Sequence, residues 1–112
     1  MGGGPAGDLY AEIKVQLPLP IPTTDRDTVV GEVVYVDRFG TLISNITPNA
    51  LKDEATIHVG GVDVGPLRRT FADVAPGELV AFTGSGGTVE IAVRDGNAMR
   101  TLGLGVGAEV RG

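Results

Sequence analysis

Hydrophobic and β-branched residues recur along this chain in short runs punctuated by glycine or proline. The run from Val29 to Asp37 holds five valines and a tyrosine around a single glycine, and it ends at a turn signal. Such a run predicts a strand. Thr41 to Ile46 predicts a second. Thr56-Ile57-His58-Val59 and Val62-Asp63-Val64 flank Gly60-Gly61, which predicts a hairpin. Arg69-Thr70-Phe71 predicts another short strand. Pro76-Gly77 marks a turn, and Leu79 to Thr83 a strand after it. Val89, Ile91 and Val93 alternate with Glu90, Ala92 and Arg94, the period-2 pattern of a half-buried strand. Pro48-Asn49-Ala50-Leu51 predicts a turn or one helical turn, and Asn97 to Leu102 a short helix. Glu109-Val110-Arg111 is expected to close the sheet.

Strands at intervals of about 8–12 residues with turn signals between them indicate a barrel or sandwich. The expected fold is all-β: a small antiparallel β-barrel over residues 29–112, with one short helix or helical turn near its C-terminal end. The 18 glycines suit the bulges and corners of a tightly bent barrel. Residues 1–28 differ. Met1-Gly2-Gly3-Gly4-Pro5-Ala6-Gly7 predicts a flexible end. Leu17-Pro18-Leu19-Pro20-Ile21-Pro22 alternates apolar residues with proline, so it should be extended, its apolar residues lying on the barrel or on a partner.

The 112 residues fit one domain, and 42% hydrophobic content argues against disorder. There is no cysteine, which removes thiolate metal sites, disulfides and cysteine catalysis. The formal net charge is −5, and only Arg68-Arg69 pair up among nine basic residues, which opposes nucleic-acid binding. No apolar run approaches the ~20 residues of a membrane span. The N-terminus lacks a signal core, so a cytoplasmic protein is expected. Asn45-Ile46-Thr47 matches a glycosylation acceptor, but Pro48 follows it.

His58 stands alone as the sole histidine, mid-strand, and is expected to be a strand-face residue. Asp25 with Asp27, and Asp53 with Glu54, are expected to be solvated. Gly103-Leu104-Gly105-Val106-Gly107 lacks the following helix of a dinucleotide loop and is expected to be a bend. No metal ligand set is expected. Two places carry more. Asp37-Arg38-Phe39-Gly40-Thr41 puts an acid and an aromatic at the mouth of the most hydrophobic strand. It could form one wall of a site for an ammonium and a flat ring, or a hairpin turn with an Asx hydrogen bond and a core Phe. Thr83-Gly84-Ser85-Gly86-Gly87 could hold a carboxylate or phosphate on its amides, or be a flexible hairpin.

Gly31-Glu32-Val33-Val34-Tyr35-Val36-Asp37-Arg38-Phe39-Gly40-Thr41-Leu42-Ile43-Ser44-Asn45-Ile46 resembles the C-terminal domain of the S-adenosylmethionine (SAM) hydroxide adenosyltransferases. These are the adenosine-forming SAM hydrolases, relatives of the SAM-dependent fluorinase and chlorinase. Thr70-Phe71-Ala72-Asp73-Val74 with Gly77-Glu78, then Ser85-Gly86-Gly87, then Glu90-Ile91-Ala92-Val93 with Gly96-Asn97-Ala98 follow in the family's order. The resemblance implies a two-domain protomer, usually trimeric, with SAM as substrate and no cofactor. SAM or adenosine would lie between this barrel and the N-terminal domain of a neighbour, while water attacks the ribose C5′ and methionine leaves. It further implies that Asp37 takes the methionine ammonium and Phe39 packs near adenine. Ser85 and Gly86 would hold the methionine carboxylate, and the backbone from Val93 to Asp95 would face the adenine edge. Thr41 stands where the family usually has Asn, and Thr88 where a bulkier residue is common. No catalytic residue is assigned, because the family's catalytic side chains belong to an N-terminal domain, supplied in cis or in trans. The chain alone is therefore expected to be inactive, and a homo- or hetero-oligomer is expected. A ligand-binding or assembly barrel without chemistry, or an unrelated all-β interaction domain, are the alternatives.

Overall fold

The computed structural model describes residues 20–112. Met1 to Leu19, including the glycine-rich start and most of the Leu-Pro repeat, lie outside the described residues. Among the described residues eight strands form in chain order: β1 (Thr23–Asp25), β2 (Thr28–Val36), β3 (Leu42–Ser44), β4 (Thr56–Val59), β5 (Val62–Arg68), β6 (Leu79–Thr83), β7 (Val89–Val93) and β8 (Glu109–Arg111). One short helix, α1 (Ala98–Leu102), and 3-10 turns at Pro48–Ala50 and Phe71–Asp73 complete the described elements. No described helix is long and apolar enough to cross a membrane.

The strands run in the order β1-β2-β3-β7-β6-β5-β4-β8, and β8 pairs back onto β2. The ring thus holds seven strands, with β1 hanging on β2 as a hairpin arm. Closure comes through Val30↔Arg111, Gly31↔Val110 and Glu32↔Glu109. An odd ring cannot alternate direction all the way round, so at least one seam must be parallel. That seam is β5–β6, through Leu67↔Ala81 and Arg68↔Phe82. The barrel is therefore mixed, antiparallel at every other pairing, where a wholly antiparallel one was expected. Its interior is filled by fully buried aliphatic side chains, among them Val33, Leu42, Ile46, Ile57, Val59, Ile91 and Val110.

Most expected elements form close to their expected bounds. The arm β1 adds a strand ahead of Val29, and Ile21 before it is 85% exposed, so it does not lie on the barrel. The expected strand at Arg69-Thr70-Phe71 does not form. Instead β5 runs on through Pro66 to Arg68. Pro66 stands at the end of the β4 ladder, opposite Thr56, and the β6 ladder begins one residue later at Leu67. Beyond it, the Asp73 Oδ2 accepts from the amides of Arg69 (3.1 Å) and Thr70 (3.2 Å), and Thr70 Oγ1 accepts from Ala72 N (3.0 Å). These side-chain bonds draw the donors away from a ladder and set the 3-10 turn.

The alternation in β7 is only half expressed. Val89, Ile91 and Val93 face the core, yet Glu90 and Ala92 on the other face are buried too. β7 is flanked on both sides, by β3 and β6, and its outer face lies under a cavity wall.

Candidate functional site

The turn after β2 is built by its own acid. Asp37 Oδ1 accepts from the amides of Phe39 (2.9 Å) and Thr41 (3.0 Å). Gly40 N donates to Asp37 O (3.0 Å), and Asp37 N to Thr41 O (3.2 Å). One carboxylate oxygen, Oδ1, is thus committed to the backbone. The Asx bond anticipated for a plain hairpin is present, but Phe39 is no core residue. It is 64% exposed, with the Arg38 guanidinium 5.0 Å from its ring centroid.

Helix α1 props this turn from behind. Met99 N donates to Gly40 O (3.0 Å). Asn97, the N-cap of α1, accepts from Arg100 N (2.9 Å) through Oδ1. The same amide lies where a side chain at residue 40 would sit, and Gly40 has φ +80°. Both facts require glycine there.

Facing the turn is the end of β7. Asp95 adopts φ +59°, a left-handed conformation that Asp tolerates, and Gly96 N closes the bend onto Val93 O (3.0 Å). Between the two turns lies a cavity of about 400 Å³ lined by Asp37, Phe39, Thr41, Phe82, Glu90, Ala92, Val93, Asp95 and Gly96. The structure therefore brings Asp37, Phe39, Thr41, Val93 and Asp95 together. Three carboxylates and two phenylalanine rings line this hollow, and no basic residue does. Such a wall suits a ligand carrying positive charge beside a flat or apolar group.

Ser85 and Gly86 are not in the lining. They occupy the corner of the β6–β7 hairpin, where Gly87 N donates to Gly84 O (3.0 Å), Gly84 N to Thr88 O (2.9 Å), and Gly87 has φ +86°. This is a tight turn closed by a left-handed glycine, an ordered hairpin connection. Glu90 links it to the cavity: its carboxylate rests against the α-carbon of Gly84. Sequence reasoning missed Glu90 and Phe82, which are register partners across β6–β7. The signal available was a lone acid on the non-core face of an otherwise apolar strand.

Among the described residues, no group of three or more His, Asp or Glu side chains is set to hold a metal. His58 is half-buried in β4, in register with Asp63 and Arg111 and away from this cavity. Asn45 is a clamp: Oδ1 accepts from Glu32 N (2.9 Å) and Nδ2 donates to Pro20 O (2.7 Å).

A family model for the SAM hydroxide adenosyltransferase C-terminal domain matches residues 31–111. An (R)-S-adenosyl-L-methionine hydrolase from Thermus thermophilus is 38% identical over 97% of this chain and 42% of its own length. One from Salinispora tropica is 34% identical over 97% of this chain and 43% of its own. Among solved structures, an uncharacterized conserved protein from Thermotoga maritima aligns with TM-score 0.70 and 30% identity, covering 85% of this chain and 39% of that one. A conserved hypothetical protein from Thermus thermophilus aligns with TM-score 0.65 and 38% identity, covering 88% and 40%. The chain spans less than half the length of these relatives and matches their C-terminal part. With Asp37-Arg38-Phe39-Gly40 at the mouth of a closed barrel and a family match running from Gly31 to Arg111, the chain belongs to the SAM hydroxide adenosyltransferase family, as its C-terminal domain.

Proposed function

We propose that this barrel supplies the SAM-contacting wall of a SAM hydroxide adenosyltransferase site, in which SAM and water become adenosine and methionine. The observation that carries this is the cavity joining Asp37, Phe39, Thr41, Val93 and Asp95. Asp37 Oδ2 receives the methionine ammonium. Phe39 gives the adenine an apolar face, with Thr41 and the backbone from Val93 to Asp95 at its edge. Ser85 and Gly86, on the neighbouring hairpin, hold the methionine carboxylate. The larger N-terminal part of the relatives has no counterpart in this sequence, and positioning of ribose and water falls to it. In the family's pattern the working assembly is a trimer, with an N-terminal domain in cis or in trans, in the cytoplasm.

The test combines this chain with an N-terminal domain of the family and follows adenosine and methionine release from SAM by chromatography. Turnover is expected in the mixture and not with the barrel alone. Asp37→Asn is the informative variant. It removes the charge but keeps an Oδ1 acceptor for Phe39 N and Thr41 N, whereas Asp37→Ala would also undo the turn. Turnover unaffected by Asp37→Asn removes the ammonium assignment. A second reading, a binding or assembly module without chemistry, is favoured by Thr41 in the cavity lining, where the family usually has Asn. SAM binding without turnover in every such mixture supports it.

A further inference from the structure

Gly84 is a glycine that its own backbone does not require. It is absent from the positive-φ glycines, so an L side chain fits its conformation. What forbids one is Glu90. A Cβ at Gly84 would fall on the Glu90 carboxylate, meeting Oε2, Cδ and Oε1 together. Glu90 is only 9% exposed, pairs with Phe82 across the ladder, and reaches diagonally along the hairpin to Gly84. A buried carboxylate is costly in apolar surroundings and is kept where polar backbone or a cation meets it. Its position also matters for the cavity. Glu90 lines the cavity together with Asp37 and Asp95, and its carboxylate packs against Gly84.

We infer that Gly84 is a positioning residue that seats the Glu90 carboxylate, and that Glu90, as part of the cavity lining, selects a positively charged ligand there, a sulfonium over the corresponding neutral thioether. The inference rests on the assignment of this cavity to SAM. SAM and S-adenosylhomocysteine make a clean pair of probes, since they differ only in the sulfonium methyl and its charge. A wall carboxylate a few ångströms away in a half-screened cavity changes their ratio through Coulomb attraction alone, by about tenfold.

The experiment measures the affinity of each probe for the chain mixed with an N-terminal domain of the family. The wild type is expected to bind SAM more tightly than S-adenosylhomocysteine, and Glu90→Gln, which keeps the side chain's shape, to shrink that preference about tenfold. Gly84→Ala is expected to weaken both probes by about tenfold or more, by pushing the carboxylate into the cavity. In a Glu90→Ala background the carboxylate it would strike is gone, and the same methyl should change little. Urea midpoints of the unliganded variants give the same coupling without any ligand. A preference unchanged by Glu90→Gln while both probes bind overturns the charge selection and leaves the SAM site standing. Equal damage from Gly84→Ala with and without Glu90, in binding and in urea, overturns the seating role. Binding of neither probe to that mixture removes the SAM site itself and the inference with it.

Discussion

Thr88 buries a hydroxyl with no hydrogen-bond partner, at 8% exposure. An unpaired buried polar atom costs free energy that an isosteric apolar side chain avoids. Thr88→Val is therefore expected to raise stability by about 1 kcal/mol, read as a higher urea midpoint with unchanged slope. The opposite holds at Gly40. Gly40→Ala combines a left-handed φ with a collision against the Asn97 amide, which also caps α1. A loss of about 2 kcal/mol or more is expected, with α1 fraying first in hydrogen exchange. That Asp37 emerges from the core was legible from its place after Val33-Val34-Tyr35-Val36, because a buried unpaired charge there is costly, and it lines the cavity. Its other duty, holding the turn through Oδ1, was one of two open alternatives, and the turn is held in that way. Glu90 was not legible, since alternation along a strand says which face a residue takes but not what covers that face.

At the scale of elements, local signals with their own chemistry were readable. The Gly60-Gly61 hairpin and the Asn97-capped helix needed no distant partner to be specified. The segment at Arg69-Thr70-Phe71 misled because β-propensity favours a strand, while Asp73 and Thr70 side chains capture the amides first. Asp73→Ala should release Arg69 N and Thr70 N together and loosen this crossover by about 1 kcal/mol, visible as faster amide exchange there. On β8, Glu109 and Arg111 form an exposed pair at 2.7 Å. The hydrogen bond from Arg111 holds the Glu109 carboxyl below its ordinary range. A depressed folded-state value contributes stability above the ordinary carboxylate pKa and loses it as pH falls through the folded value. Both groups are solvent-exposed, so the effect is small and salt-sensitive. The stability difference between wild type and Glu109→Gln should accordingly shrink in acid and in high salt.

At the scale of the whole molecule, fold class followed from strand spacing, but ring topology did not. Nothing in the spacing of short strands states how many close the ring, and it is the odd count that forces the parallel β5–β6 seam. Closure itself hangs on three register pairs between β2 and β8, with Val110 fully buried beneath them. Val110→Ala is expected to cost about 2 kcal/mol, measured by thermal or urea unfolding, because the cavity opens at the seam that shuts the barrel.

That seam also sets a timetable. During synthesis β2 leaves the ribosome early, and β8 last of the described strands. Until Glu109–Arg111 has emerged, the flank of β2 at Val30 to Glu32 and that of β4 at His58 and Val59 have no neighbour to pair with. For that interval the nascent domain is an open sheet with two bare edges, the geometry that recruits strands from other chains. A translational pause placed just before Glu109 would prolong the interval in which misassembly can start.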